Sequence, residues 1–206
     1  MLFRSAVASA VAVVAGTIAQ VTQKRPGAVG ATNQVVVGNN MPIPYMVGRT
    51  YTGGSQVYDN SAGEKNVIRF NVNVLSAAGP IDSIESFLAD YAVMPVSGGF
   101  PGDAAVTGFY NDFMWLQTRL GQRPETAFND SVTPMPSWTS ASRLSGYAAY
   151  RVAMKFDKDA KRYSGGVPQF GCIAKGVRVY DPRLDSTYAG GSGAQRWDDE
   201  IGRAHV

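Results

Sequence analysis

Val67-Ile68-Arg69-Phe70-Asn71-Val72-Asn73-Val74-Leu75 alternates apolar and polar residues almost without interruption. Successive side chains of a strand point to opposite faces. Ile68, Phe70, Val72 and Val74 therefore share one side, and Arg69, Asn71 and Asn73 the other. The expectation is a strand with one packed side and one side in water, ended by Gly79-Pro80. Tyr147 to Phe156 repeats the pattern, with Ala148, Tyr150, Val152, Met154 and Phe156 on one face and Arg151 and Lys155 on the other. A last strand is expected over Gly171 to Tyr180, carrying Ile173, Val177 and Val179 and stopped by Asp181-Pro182.

Working outward, Phe109 to Leu120 is aromatic-rich and reads as a strand closed by Gly121. Ile81 to Tyr91 is ambiguous. Ile81, Ile84, Phe87 and Leu88 fit helical spacing, whereas the flanking residues favour strand-turn-strand, and periodicity leaves both open. Ser97 to Asp103 is a loop by composition. Gln122 to Ser142, with Pro124, Pro134 and Pro136, reads as a long irregular excursion of the kind used for function or for an interface. Two prolines confine Met41 to Arg49 to an edge strand or an extended segment. Val35 to Val37 is a short apolar run before the turn Gly38-Asn39-Asn40.

The fold class expected is mainly β with long loops, α+β in detail: an antiparallel-sheet domain over residues 34–199, a linker over 26–33 and a short apolar helix before it. That helix rests on the Ala/Val run Ala6 to Ala19 within residues 1–25. At about 14 residues the run is shorter than the ~20 a membrane crossing needs. With Arg4 ahead of it, it also has the layout of a secretory signal. Met1-Leu2-Phe3-Arg4-Ser5 and Ile201-Gly202-Arg203-Ala204-His205-Val206 are the translations of two opposite sequencing-library adapters. The expectation is that the first residues and residues 200–206 are adapter-encoded and that the biological protein continues past both.

Composition narrows function. Of 206 residues, 45% are hydrophobic and 11% aromatic but only 17% charged, which is incompatible with intrinsic disorder. A single cysteine, Cys172, forbids an internal disulfide framework. A single histidine, His205, inside the suspected adapter, leaves no His/Cys metal cluster and no His-based triad. The net charge of +3 is uneven: Arg4, Lys24, Arg25 and Arg49 all precede the first acidic residue, Asp59, and the remainder of the chain sums to −1. No basic cluster of the sort that grips phosphates is present, so no nucleic-acid specificity is expected.

With histidine gone, Asp157, Asp159, Asp181 and Asp185 are the remaining candidate bases. Asp157-x-Asp159 starts like a calcium loop but lacks its glycine and its closing glutamate, and reads as a solvated turn. Gly190-Gly191-Ser192-Gly193 has neither the lysine nor the helix of a phosphate loop and reads as a flexible loop. Tyr110, Trp115, Trp138, Tyr147 and Trp197 are either a sugar-stacking platform or core and interface residues. Cys172, within Phe170-Gly171-Cys172-Ile173-Ala174, reads as a buried small residue. No catalytic, cofactor or metal site assembles from these residues, and neither a cofactor nor an enzymatic activity is expected.

Four short motifs carry a family resemblance. Gly166-Val167-Pro168-Gln169-Phe170 followed by Ala174-Lys175-Gly176-Val177-Arg178-Val179-Tyr180-Asp181-Pro182-Arg183 is similar to a "G-x-P" loop, a strand and "G-x-x-V-Y-D-P-R". These belong to the tip attachment (host-specificity, J-like) and central tail hub proteins of long-tailed phages, prophages and gene transfer agents. Pro42-Ile43-Pro44-Tyr45-Met46-Val47-Gly48-Arg49 resembles the family's "I-P-V-x-Y-G-R" strand, departing at Met46 and Val47. Gly79-Pro80-Ile81 after Leu75 resembles its "L-x-x-G-P-I-x-x-I" turn, and Pro136-Ser137-Trp138 before Gly146-Tyr147 another recurring pair.

The resemblance covers about Gln34 to Trp197. It implies a structural virion protein of the phage tail, assembled in the bacterial cytoplasm. As a homotrimer it would close the tail tube, contact other tail tip and tail tube proteins, and reach a host receptor only through regions further downstream. The residues it marks are Pro44, Tyr45, Gly48, Arg49, Gly79, Pro80, Gly166, Pro168, Gly176, Tyr180, Asp181, Pro182 and Arg183. Asp181 would accept backbone N–H groups of its turn, and Arg183 is either part of a plain strand-ending turn or free to meet a carboxylate at a subunit contact. Two competing readings are an exported carbohydrate-binding β domain, with Ala6–Ala19 as its signal, and a hydrolase with unpaired carboxylates.

Overall fold

The alternating segments do form strands, and the rest of the chain is arranged around them. A computed structural model describes residues 42–129, 134–156, 162–194 and 197–198. The Ala6–Ala19 run, the linker, the Val35–Val37 run, Asp157, Asp159 and residues 200–206 lie outside them. In chain order the strands are β1 (Arg49–Thr52), β2 (Ser55–Ala62), β3 (Ile68–Ser76), β4 (Ser83–Ala89), β5 (Ala92–Val93) and β6 (Val96–Ser97). They continue with β7 (Gly102–Val106), β8 (Met114–Arg119), β9 (Ala148–Lys155), β10 (Phe170–Lys175), β11 (Val179–Tyr180) and β12 (Trp197–Asp198). Helical structure among the described residues is confined to single 3-10 turns.

The larger sheet has the order β2-β3-β9-β8-β7-β6 and the smaller one β1-β10-β4-β5, with all pairs antiparallel; β11 and β12 form a separate ribbon. The protein is therefore mainly β, built from antiparallel sheets. Strand β9 explains why two layers are needed, because both of its faces are buried. Tyr150, Val152 and Met154, with Met114 and Leu116 of β8, pack on Ile84, Phe87, Phe170, Cys172 and Ala174 of the smaller sheet. Phe87 meets Tyr150 edge-on at 4.8 Å, and the buried Tyr150 hydroxyl donates to the Gly53 carbonyl at 2.9 Å. The ring thus contributes its burial, about 1.5–3 kcal/mol for a side chain of this size, without an orphaned hydroxyl.

The outer face is covered by the irregular excursion after Gly121. Ala149 and Ala153, together with Phe70, Val72 and Val74 of β3, pack under Phe128 and Met135, with Trp138 and Leu144 alongside. The two alanines leave room for those larger residues. Tyr58 ties the cover down: its hydroxyl donates to the Pro136 carbonyl at 2.6 Å, and its ring meets Trp138 at 5.2 Å.

Several expectations need correction. On the polar side of β3 Arg69 meets water, but Asn71 and Asn73 do not, at 5% and 2% exposure. That side belongs to the inter-sheet face, in register with Tyr150 and Val152 of β9. Arg151 is likewise buried, with its guanidinium 5.7 Å from the Phe70 ring, because the excursion covers it. The Phe109–Leu120 strand starts only at Met114, after a 3-10 turn at Gly108–Tyr110 and the left-handed Asp112. The Gly171–Tyr180 strand is two strands in different sheets, broken at Gly176. The loop over Ser97 to Asp103 is shorter than expected, because β6 and β7 extend into it.

The Ile81–Tyr91 ambiguity has a physical answer. β4 is a strand that hairpins into β5 through Asp90 and Tyr91, both left-handed, as a tight two-residue turn requires. Ile84 pairs with Ala174 and Ser86 with Ile173, so Glu85 is an extra, bulged residue. The bulge puts Ile84 and Phe87 on the same face although they are three apart, which imitates helical spacing.

Candidate functional site

Three of the sequence motifs meet at one glycine. Gly176 donates its N–H to the Gly48 carbonyl at 2.8 Å, and its own carbonyl accepts the Asp82 N–H at 3.0 Å. Asp82 also donates to the Lys175 carbonyl at 3.1 Å, and the Val177 N–H goes to the Met46 carbonyl at 3.0 Å. Val47 and Val177 form an isolated parallel bridge. A Cβ on Gly176 would lie 2.3 Å from the Met46 oxygen, so only glycine permits this approach.

The partners come from distant parts of the chain. Pro44, Tyr45 and Gly48 belong to the extended stretch leading into β1, where the Pro44 carbonyl accepts the Ala77 N–H at 2.7 Å and Gly48 is left-handed. Arg49 opens β1 and pairs with the bulged Glu85 at 2.8 Å. Gly79 and Pro80, joined by a cis peptide bond, turn the chain from β3 towards β4, with the Ile81 N–H on the Leu120 carbonyl. A Cβ at Gly79 would meet the Gly121 carbonyl at 2.8 Å. Asp82 closes the junction by an ion pair to Arg178. Alternate residues Ile43, Tyr45 and Val47 of the stretch face outward at 37%, 61% and 36% exposure, while Met46 is buried.

Gly166 and Pro168 stand elsewhere, at the opposite end of β10. Gly166 is left-handed and donates to the Tyr163 carbonyl, Pro168 is buried, and Gln169 donates to the Asp90 carboxylate at 2.8 Å. The Tyr180-Asp181-Pro182-Arg183 segment forms a third, self-contained unit. Asp181 accepts the Arg183 N–H at 2.9 Å and holds the Arg183 guanidinium, and these contacts pull its carboxyl down to about 2. The Arg183 side chain thus pairs within its own turn and is still 57% exposed. Asp185, 5% exposed, accepts from the Tyr180 hydroxyl and from both the N–H and the hydroxyl of Thr187, contacts that lower its carboxyl pKa. The Gly190–Gly193 run packs onto this unit: a Cβ at Gly191 would strike the Asp185 carbonyl at 2.1 Å.

Of the candidate bases, Asp157 and Asp159 lie outside the described residues. Asp181 and Asp185 are each committed to the turn they stabilise, and among the described residues no three His, Cys, Asp or Glu side chains gather as a metal site. Cys172 is fully buried, and burial pushes its thiol up to about 12, which keeps it protonated and inert. The aromatic residues are dispersed. Tyr110 stacks on Tyr163 at 5.8 Å, Trp138 packs from the excursion onto the outer face, and Trp115 and Tyr147 are partly exposed at separate places. The Trp197 side chain lies outside the description. Tyr110, Trp115, Trp138 and Tyr147 thus form no common platform.

Sequence reading did not expect the cleft between the β2–β3 edge and the Val167–Phe170 approach to β10. Its signal was present in Asn71 and Asn73, which alternation assigned to solvent.

No protein-family model matches the chain, and no curated protein does. Among solved structures it is similar to a chain from the virion of a native gene transfer agent (GTA) particle, at a TM-score of 0.42 and 14% identity. The match covers 86% of this chain and 39% of that one, so the chain spans well under half of its neighbour's length.

Proposed function

We propose that this chain is part of a structural component of a phage-like virion, a central hub or tip attachment subunit of the tail. It acts without catalysis, assembles as a homotrimer that closes the tail tube, and contacts neighbouring tail tip and tube proteins. The observation that carries the reading is the Gly176 junction. Three motifs chosen for their order and spacing, around Pro44–Arg49, Gly79–Pro80 and Gly176–Arg178, lie far apart in the chain yet share one set of backbone hydrogen bonds. A rigid junction of this kind suits a subunit that transmits load through sheets. The outward stripe of Ile43, Tyr45 and Val47 gives such a subunit apolar surface to bury against another copy.

Immunogold labelling of particles from a strain carrying the complete gene tests the assignment. Label at the tail tip is expected; label on the capsid, or on no particle, overturns it. Release of sugar from a glycan or peptidoglycan substrate by the purified protein would overturn the non-catalytic part.

A further inference from the structure

Strand β2 is the long open edge of the larger sheet. Among the described residues it pairs with β3 on one side and with no strand on the other. The remaining sheet edges are shorter: β1 has four residues and β5 and β6 two each, against eight in β2. An open edge of that length presents a row of N–H and C=O groups without a ladder partner, and folds usually interrupt such a row with charge or cover it. β2 has one bulge, at Val57, and one charged residue, Asp59, whose carboxylate is already paired with Arg69. Val57 is 46% exposed, so the edge is apolar as well as open at that point.

The described chain begins beside this edge. The Pro42 carbonyl accepts the Ser55 hydroxyl at 3.3 Å, at the first residue of β2. Two residues later the Pro44 carbonyl accepts the Ala77 N–H at 2.7 Å, just past the end of β3. Ser55 stands opposite Val74, so from Pro42 to Pro44 the chain advances in the direction of β3 and against that of β2. Residues ahead of Pro42, continued backward on that line, would pass alongside β2 in the antiparallel sense. Residues 34–41 match the eight of β2 in number, and either run spans about 26 Å at ~3.3 Å per residue. Counted back from Pro42 beside Ser55, Asn40 falls level with the Val57 bulge, and Val37, Val36 and Val35 fall level with Asn60, Ser61 and Ala62. Three β-branched residues thus meet the regular end of the edge, and the weak strand formers Gly38 to Asn40 lie near its irregular one.

We propose that the outer edge of β2 receives an added antiparallel strand, supplied by residues 34–41 of the same chain. Main-chain hydrogen bonds carry such an addition, so it does not depend on a particular side chain. A second copy or another protein would have to bring an extended segment from solution. This segment is already tethered at Pro42, at a high effective concentration beside the edge it would join. The inference does not depend on the Ile43–Val47 stripe and holds whether or not the chain is a tail subunit.

Disulfide trapping in the full chain tests the pairing. Val36→Cys and Val37→Cys are each combined with Asn60→Cys, Ser61→Cys and Ala62→Cys, which allows for a register one residue to either side. The buried Cys172 does not compete. Facing residues of antiparallel strands have Cα atoms about 4.5–5.5 Å apart, within disulfide reach. Mild oxidation should close at least one pair within the chain, seen as a faster band on a non-reducing gel. Val36→Pro, which removes a ladder donor, should speed amide exchange in β2 about tenfold or more and leave β9 unchanged. This variant alters none of the described residues and serves if the cysteine pairs fail to fold. The proposal is overturned if no pair closes, as when Gly38-Asn39-Asn40 turns the chain away from β2. Disulfides formed only between chains, which put a second copy on the edge, or β2 exchange indifferent to Val36→Pro, overturn it equally.

Discussion

Met46 places its carbonyl oxygen where Gly176 would carry a side chain, and that contact sets a clear expectation for mutation. Gly176→Ala must push two backbone segments apart and should cost about 2–4 kcal/mol, seen as a lower urea midpoint with an unchanged slope. Gly99→Ala, where nothing lies within 4 Å, should leave the midpoint unchanged. Asp181 offers a second test at this scale. Its carboxyl is held at about 2 by Arg183, below the ordinary 3.8. A depressed value means that the contact stabilises the turn fully above the unfolded pKa and is lost as pH falls from near 4 towards 2. A carboxyl-carbon NMR titration should show the low midpoint, and Arg183→Gln should return it towards the ordinary value.

At the scale of elements, what the sequence made legible depended on whether alternation and burial agree. β9 could be read because its inward residues are large and apolar. β3 could be read as a strand, but the environment of its polar side could not, since Asn71 and Asn73 are buried at a cleft whose other wall comes from residues 167–170. β2 was missed because it is an edge strand of mostly polar residues with a bulge at Val57. β4 was ambiguous because the bulge at Glu85 breaks period two. The excursion was recognised as irregular, but its role as the cover of the outer face needed the positions of Phe128 and Met135. Phe128→Ala should therefore behave as a core truncation, costing about 3 kcal/mol in chemical denaturation. Amide exchange should quicken along β3 and β9 more than along β10, which lies in the other sheet.

For the whole molecule, the motif residues divide into three places: the Gly176 junction, the Gly166–Pro168 wall and the Asp181 turn. Their order in the sequence was visible, whereas the convergence of the first group depends on pairing across the smaller sheet. Assembly is testable from the outside. Tyr45 is 61% exposed, so Tyr45→Asp should leave the melting temperature of the isolated subunit unchanged. In the proposed trimer it would bury a charge, so, if that assembly forms, sedimentation should show the parent protein as trimers and the variant as monomers.

The central strand of each sheet, β9 in one and β10 in the other, is supplied late in the chain. A polypeptide emerging from the ribosome therefore exposes β2, β3, β4 and β8 before the strands that join them exist. Loop closure over such separations is slow. Synthesis thus includes an interval in which unpaired strand edges are open to other chains, the circumstance in which chaperones act.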